Sequence, residues 1–401
     1  MSCSFGSVRY VYNAALAYRC KAYERRGESI SYCGTVKLLN KLKAAKPWLR
    51  EAYSQCLQMS LRNLDAAFSS FFRNPETTGY PRFKKKDSEQ SLQYPQGVKA
   101  DFQRQMLYLP KTGWVSCVFH RRFKGGIRTV TLRKEKSGAY YASVLVDDGK
   151  NAEDIPAGRN VESESDVLGI DMGVKTLATC SDGTSYKNGK YLSESEKRLK
   201  KEQRNLSRKK KGSKNRAKQR IKVARIHERI ANQRKDAIEK ATAGIAGKSH
   251  AAVAVENLNI KGMQKNHHLA KTVSDASMSF FLTRLETKCI SKGMHFVKVD
   301  RWFASSQTCS VCGFVNKETK DLRIREWECP ECHTRHDRDA NASLNIAREG
   351  YRLIARLPMD GGEVTPVETD KVDESAKAPK KPDVGETGRV PETSSLEAPR
   401  L

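Results

Sequence analysis

Four cysteines and a few acidic residues carry the chemistry that this sequence could perform. Cys309-Ser-Val-Cys312 and Cys329-Pro-Glu-Cys332 are two C-x-x-C pairs with sixteen residues between them. Each pair can present two thiolates from one tight turn, and two such turns complete a tetrahedral S₄ shell for Zn²⁺. Four thiolates leave no open position, so the ion is expected to be structural. Gly313 follows the first pair, where such a turn favours a residue with positive φ. Arg323, Arg325 and Trp327 lie between the pairs. They are candidates to touch nucleic acid, against the plainer reading of a solvated hairpin with a packed indole.

The acidic candidates sit where apolar runs end. Asp171 closes Val167-Leu168-Gly169-Ile170, with Gly173 just beyond to let the backbone turn. Glu256 closes Ala251 to Val255, and Asp337-Arg338-Asp339 opens a helical segment running to Ile346. Clustered carboxylates on rigid elements are what a pair of Mg²⁺ or Mn²⁺ ions requires for phosphodiester hydrolysis. Singly, each has a plainer role: a turn residue, a solvated strand end, a helix cap. Together, beside a zinc module in a basic chain, they suggest a metal-dependent nuclease.

The elements that would position these residues are legible in the patterning. Residues 7 to 73 read as helical, with Leu57, Leu61, Leu64, Phe68 and Phe71 on one face, until Pro75 and Gly79 end the pattern. Val115 to Phe119, Ile127 to Leu132 and Tyr140 to Val146 read as strands of a small β-barrel, punctuated by Gly125-Gly126 and Ser137-Gly138. A polar linker is expected over 151 to 165. Beyond it come strands at Val167 to Ile170 and Thr176 to Cys180, joined through Ser181-Asp182-Gly183. Two antiparallel basic helices follow between Ser193 and Ala243, broken at Gly212-Ser213. Ala251 to Val255 is a further strand, Ser279 to Ser291 a helix, and Met294 to Val299 a strand. This alternation argues for an α/β sheet. The segment beyond Pro358 is charged, Pro-rich and without aromatics, and is expected to be disordered.

Of the 401 residues, 74 are Lys or Arg and 46 Asp or Glu, a formal net charge of +28. An excess of that size calls for a polyanion, and nucleic acid is the obvious one. The densest run, with Lys209, Lys210, Lys211, Arg216 and Arg220, is the candidate nucleic-acid contact. No apolar stretch approaches the roughly 20 residues of a membrane span, and Met1-Ser2-Cys3-Ser4 lacks a signal-peptide pattern. No membrane role is expected. Seven of the eleven cysteines stand alone in sequence, unlike a disulfide framework, and read as small apolar residues in a reducing compartment.

Three segments carry a family resemblance. They are Gly169-Ile-Asp-Met-Gly-Val-Lys-Thr-Leu-Ala178, Val255-Glu-Asn-Leu-Asn-Ile-Lys-Gly-Met263 and His336-Asp-Arg-Asp-Ala-Asn-Ala-Ser-Leu-Asn-Ile346. They resemble the three split RuvC motifs of TnpB proteins, which bacterial insertion sequences encode and which are similar to type V CRISPR effectors. The zinc pairs fall between the second and third motifs, as in that family. The resemblance extends to Gly6-Ser-Val-Arg-Tyr-Val-Tyr-Asn13, Gly79-Tyr-Pro-Arg-Phe-Lys-Lys85 and Leu109-Pro-Lys-Thr-Gly113, and so covers about residues 6 to 350.

It implies a multidomain α+β protein, with an RNase H-like (RuvC) α/β nuclease core, an inserted zinc ribbon, a helical lobe and a wedge-like β-barrel. The implied boundaries are 1–75 for the helical recognition lobe, without the family's N-terminal strand, and 76–160 for the wedge. Residues 161–303 would hold motifs I and II with the basic helical pair, 304–335 the ribbon, 336–355 motif III, and 356–401 the tail. The implied activity is RNA-guided DNA cleavage in a bacterial cytoplasm by a monomeric ribonucleoprotein, with guide RNA and double-stranded target DNA as partners. By position the catalytic, Mg²⁺- or Mn²⁺-binding residues are Asp171, Glu256 and Asp339, with Asp337 the alternative third ligand. A nuclease-inactive DNA-binding repressor and a strand-transferring transposase are the competing readings.

Overall fold

The computed structural model describes residues 2–86, 89–149, 151, 156, 158–321 and 323–356. Apart from Arg356, the tail expected to be disordered lies outside these described residues, as does part of the expected linker.

Three α-helices open the chain: α1 (Ser2–Arg26), α2 (Tyr32–Ala45) and α3 (Ser54–Arg73). The helical stretch is therefore interrupted, first at Gly27 with φ of 62° and again before Pro47. Leu57, Leu61, Leu64 and Phe68 of α3 are buried in one core with Val8, Val11 and Ala15 of α1. Phe71 stays half-buried, edge-on to Phe72 and Tyr80.

Six strands follow: β1 (Gln90–Tyr94), β2 (Lys99–Asp101), β3 (Met106–Leu109), β4 (Gly113–Ser116), β5 (Gly126–Lys134) and β6 (Tyr140–Asp147). Where a small β-barrel was expected, their hydrogen bonds form two three-stranded antiparallel sheets, β1-β5-β6 and β2-β3-β4. Leu92, Tyr94, Leu107, Leu109, Val130 and Leu132 join the same core as the helices. Packing thus continues across the boundary expected at residues 75/76.

The second half of the chain holds a five-stranded sheet. Its members are β7 (Val167–Asp171), β8 (Thr176–Cys180), β9 (Ser185–Lys187), β10 (Ala252–Glu256) and β11 (His295–Val299), in the order β11-β10-β7-β8-β9. β10 runs parallel to both β7 and β11, while β8 is antiparallel to β7 and β9. This is the RNase H-like arrangement that the RuvC resemblance implies. The connection from β9 to β10 is a helical hairpin, α4 (Tyr191–Ser207) and α5 (Lys214–Ala246). Gly212, at φ of 84°, makes the turn, and Ser213 caps α5 by accepting from the Arg216 N–H at 3.1 Å. Between β10 and β11 come α6 (Ile260–Lys265), α7 (Ala270–Ala276) and α8 (Met278–Ile290). A two-stranded ribbon, β12 (Glu326–Glu328) and β13 (Arg335–Asp337), then leads directly into α9 (Arg338–Ala355). Among the described residues, no helix is long and apolar enough to cross a membrane.

Both faces of the central sheet are covered, so β7 and β10 read as continuous apolar runs. Alternation assigns their side chains. Leu168, Ile170, Val253 and Val255 pack with Ile238 and Ile245 of α5 and Phe281 and Leu285 of α8. Val167, Ala252 and Ala254 pack on the opposite face with Ile346 of α9. Asp171 and Glu256 continue this second set and so face α9.

That helix lies hard against β7. A Cβ on Gly169 would come within 2.0 Å of the Ser343 carbonyl and 2.4 Å of the Ala347 nitrogen. Glycine is required there by the approach of the helix backbone, not by its own φ.

Candidate active site

Asp171 and Glu256 are brought together by strand register. β10 and β7 are in parallel register through Ala254↔Gly169 and Val255↔Ile170, so the next residues, Glu256 and Asp171, are neighbours across the two strands. With strands about 4.8 Å apart, both carboxylates project from the same sheet end towards the start of α9. The third acid comes from that helix. Asp337 is its N-cap, its side chain accepting from the Ala340 N–H at 2.9 Å. Asp339 lies in the first turn. Asp337 thus holds the helix end, and Asp339 is the aspartate whose charge bears on Asp171.

The electrostatics record the convergence. Burial, then the negative charges of Glu256 and Asp339, push the Asp171 carboxyl up to about 8, against the opposing pull of the Arg338 guanidinium. Glu256 is likewise raised, chiefly by burial, with the Ser305 hydroxyl and Arg338 pulling the other way. Three acids converging in a largely dehydrated place, incompletely neutralised, form a donor set that suits hard divalent cations. The N-terminal end of α9, with its positive dipole end, and the buried Arg338 supply the nearby compensation. Arg338 is fixed by bonds to the Asp321 carbonyl at 3.0 Å and the Ser306 hydroxyl at 3.3 Å. Among the described residues the three carboxylates do not come within the 4.8 Å that brings the cysteines together, and Asp339 is held by Arg325, whose Nη1 lies 2.9 and 3.2 Å from its two oxygens. Arg325, a candidate nucleic-acid contact from sequence, is here a partner of the site. Ser305, Arg338 and this role of Arg325 were not apparent from sequence. The Arg between two aspartates in Asp337-Arg338-Asp339 was the one available signal.

The four cysteines read as zinc ligands come together. Cys309, Cys312, Cys329 and Cys332 have sulfurs all within 4.8 Å of one another, the one such cluster among the described residues. Cys309 to Cys332 and Cys312 to Cys329 are each 3.6 Å. That is far beyond a disulfide and close to the ~3.8 Å edge of a tetrahedron with Zn–S bonds of about 2.3 Å. The two knuckles are built alike: the Gly313 N–H donates to the Cys309 carbonyl and the His333 N–H to that of Cys329, at 3.0 and 2.9 Å. Gly313 and His333 have φ of 82° and 54°. Trp327 is buried in the ribbon, against His336, so its packed reading holds. Arg323 is exposed and paired with Asp321. The lone cysteines divide. Cys56, Cys180 and Cys289 are buried, whereas Cys3 and Cys33 are exposed, against the apolar reading given to all seven.

The basic hairpin is also sorted by the structure. Arg216 spends its guanidinium on the Leu206 and Lys209 carbonyls, at 2.7 and 3.0 Å, and so ties down the turn. Lys210, Lys211 and Arg220 are exposed and Lys209 half-buried. The same basic helices, expected from sequence to meet phosphates over 197 to 225, carry a further set. Lys197, Lys201, Arg204 and Arg208 are all exposed and recur at steps of four, three and four, on the side of α4 away from the buried Leu199. At 1.5 Å per residue they form a cationic stripe roughly 16 Å long.

Comparison with known proteins agrees with the resemblance read from the motifs. A family described as "Probable transposase" matches residues 143–267, a "Cas12f1-like, TNB domain" matches 279–346, and a "Helix-turn-helix domain" matches 1–28. A Streptomyces pristinaespiralis protein named "Putative RNA-guided DNA endonuclease" is 36% identical over 361 residues, 88% of this chain and 86% of its own. "Putative RNA-guided DNA endonuclease InsQ" of Escherichia coli K12 is 31% identical, over 87% of this chain and 88% of its own. Among solved structures, a Cas12f1–sgRNA–target DNA complex aligns with a TM-score of 0.49 and 18% identity, over 86% of this chain and 81% of the other.

Proposed function

Because the chain belongs to the TnpB family of insertion-sequence proteins, we propose that it is an RNA-guided DNA endonuclease of a bacterial transposable element. It works as a monomeric ribonucleoprotein in the cytoplasm, with Asp171, Glu256 and Asp339 as its catalytic residues. The observation that supports this most is the register of β7 and β10, which sets Asp171 beside Glu256 facing the first turn of α9.

In this reading the three carboxylates hold Mg²⁺ or Mn²⁺, which when bound would supply Lewis-acid activation of the attacking water and of the leaving oxygen. The protein's own part is positional. The rigid sheet end fixes two carboxylates and α9 the third, while burial excludes bulk water. Arg325, which pairs with Asp339, is placed to meet the phosphate once that carboxylate is engaged as a ligand. Hydrolysis then forms one P–O bond from water and breaks one ester P–O bond. The four cysteines hold Zn²⁺ and keep the ribbon folded.

Guide RNA pairs with the target strand, while the protein contacts backbone. The cationic stripe of α4, with Lys209, Lys210, Lys211 and Arg220, is the proposed phosphate-binding face. The helical lobe and the two three-stranded sheets cover the rest of the nucleic acid.

The test is to purify the protein with RNA co-expressed from its element, sequence that RNA, and challenge the complex with a matched plasmid and Mg²⁺. A discrete transcript and cutting directed by its sequence are expected. Guided binding without cutting would favour a repressor, and joining of DNA ends would favour a transposase.

A further inference from the structure

Ser305 lies at the root of the zinc ribbon, four residues before the first zinc ligand, and is only 5% exposed. Its hydroxyl donates to Oε1 of Glu256. Its carbonyl accepts from the Asn345 side-chain amide of α9 at 2.8 Å. Asn345, 2% exposed, donates also to the Thr308 carbonyl at 2.6 Å. One turn earlier Asn341, 1% exposed, donates to the same Thr308 carbonyl at 2.7 Å and accepts from the Ser310 N–H at 2.9 Å. One face of α9 therefore grips residues 305–310, and the gripped segment reaches across to the second carboxylate. Asn341 is bonded at both ends of its amide and Asn345 donates twice from its nitrogen, and buried amides held in this way keep a single geometry.

Resting on the proposed metal site, we infer that Ser305 is a positioning residue for the divalent cation. It fixes the carboxylate of Glu256 so that Oε2 is presented to the ion. Asn341 and Asn345 hold Ser305 in place from the helix that carries Asp339. The ribbon root is then part of the metal site, and motif III positions two of the three carboxylates, one directly and one through Ser305. Partners that orient metal-ligating carboxylates are worth roughly 10- to 100-fold in metal affinity.

The experiment measures Mn²⁺ binding to the zinc-loaded, full-length protein by electron paramagnetic resonance. It compares the wild type with Ser305→Ala, Ser305→Thr, Glu256→Gln and the Ser305→Ala/Glu256→Gln double variant. Zinc content and unfolding temperature are recorded alongside. Ser305→Ala is expected to weaken Mn²⁺ binding about tenfold or more, with zinc and unfolding temperature unchanged. Ser305→Thr, which keeps the donor, should recover most of the loss. In the Glu256→Gln background Ser305→Ala should add nothing.

Unchanged affinity in Ser305→Ala would overturn the proposal, and so would a loss that persists in full beside Glu256→Gln. A fall in zinc content or unfolding temperature that accounts for the loss would assign the serine to ribbon folding instead, with the same consequence. If the wild type shows no Mn²⁺ site that Asp171→Ala removes, the metal-site reading itself fails, a result distinct from failure of the serine's role.

Discussion

At the residue scale, the acids differ in what each contributes, and the differences can be measured separately. Asp171 titrates near 8 in the metal-free fold, against an ordinary carboxyl near 3.8. The folded state thus keeps a proton that the unfolded chain releases over that range. Its contribution to stability is fully present below about pH 3.8 and is lost as pH rises through about 8. Asp171→Asn, which mimics the protonated form, should gain stability relative to the metal-free wild type as pH is raised across this window. Denaturant unfolding at several pH values checks the sign, and Mn²⁺ should cancel the difference by stabilising only the wild type. Asp337 and Asp339 separate in the same way. Asp337→Ala should cost about 1 kcal/mol through the lost cap while leaving a metal site behind. Asp339→Asn should abolish cutting with little change in stability. Both roles follow from positions a fraction of a helical turn apart, which spacing alone left open.

At the element scale, α9 is held by three devices: close packing on β7 at Gly169, the asparagine clamp, and the ribbon that leads into it. Gly169→Ala would drive a methyl into the helix backbone. It should destabilise the protein by about 3 kcal/mol, read as a lowered denaturant midpoint, and should weaken metal binding because Asp339 moves with the helix. Cys309→Ser should release zinc, seen by elemental analysis, and speed hydrogen exchange over residues 305–345. His336, whose ring nitrogen is 3.1 Å from the Cys309 sulfur, stands next to Asp337 in β13 and carries the disturbance into the start of α9.

Much of this architecture was legible in the sequence. The buried strands Val167–Asp171 and Ala252–Glu256, the hairpin break at Gly212-Ser213 and the paired cysteines all announce themselves through composition. The elements that did not are those where period and composition say little. β1 is Gln-Ser-Leu-Gln-Tyr and β9 Ser-Tyr-Lys, short and mostly polar, and each exists because a neighbouring strand offers it hydrogen bonds. The strands expected to build a small β-barrel pair as two three-stranded sheets, a division sequence could not give because strand pairing is a tertiary property. Arg216 and Arg325 look like solvated charges until the carbonyls and the carboxylate they bind are brought to them from elsewhere in the chain.

At the scale of the whole molecule, a net charge of +28 is arranged so that α4 and its C-cap Arg208 turn four cations outward. Replacing Lys197, Lys201, Arg204 and Arg208 together by Gln should weaken nucleic-acid binding almost equally for all sequences. It should also flatten the dependence of log K on log salt by about 0.9 for each phosphate that is no longer neutralised, measured by fluorescence anisotropy over a range of salt. The same variant should retain its metal sites, because the stripe is remote in function from the carboxylates.

The most direct test of the account as a whole is single-turnover cleavage of a guide-matched plasmid in Mg²⁺ by the RNA-loaded protein, with Asp171→Ala, Glu256→Ala and Asp339→Ala run beside the wild type. The wild type should cut, and each variant should bind RNA as before and leave the plasmid intact. Undiminished cutting by any one of the three would contradict the claim that these carboxylates form one catalytic site.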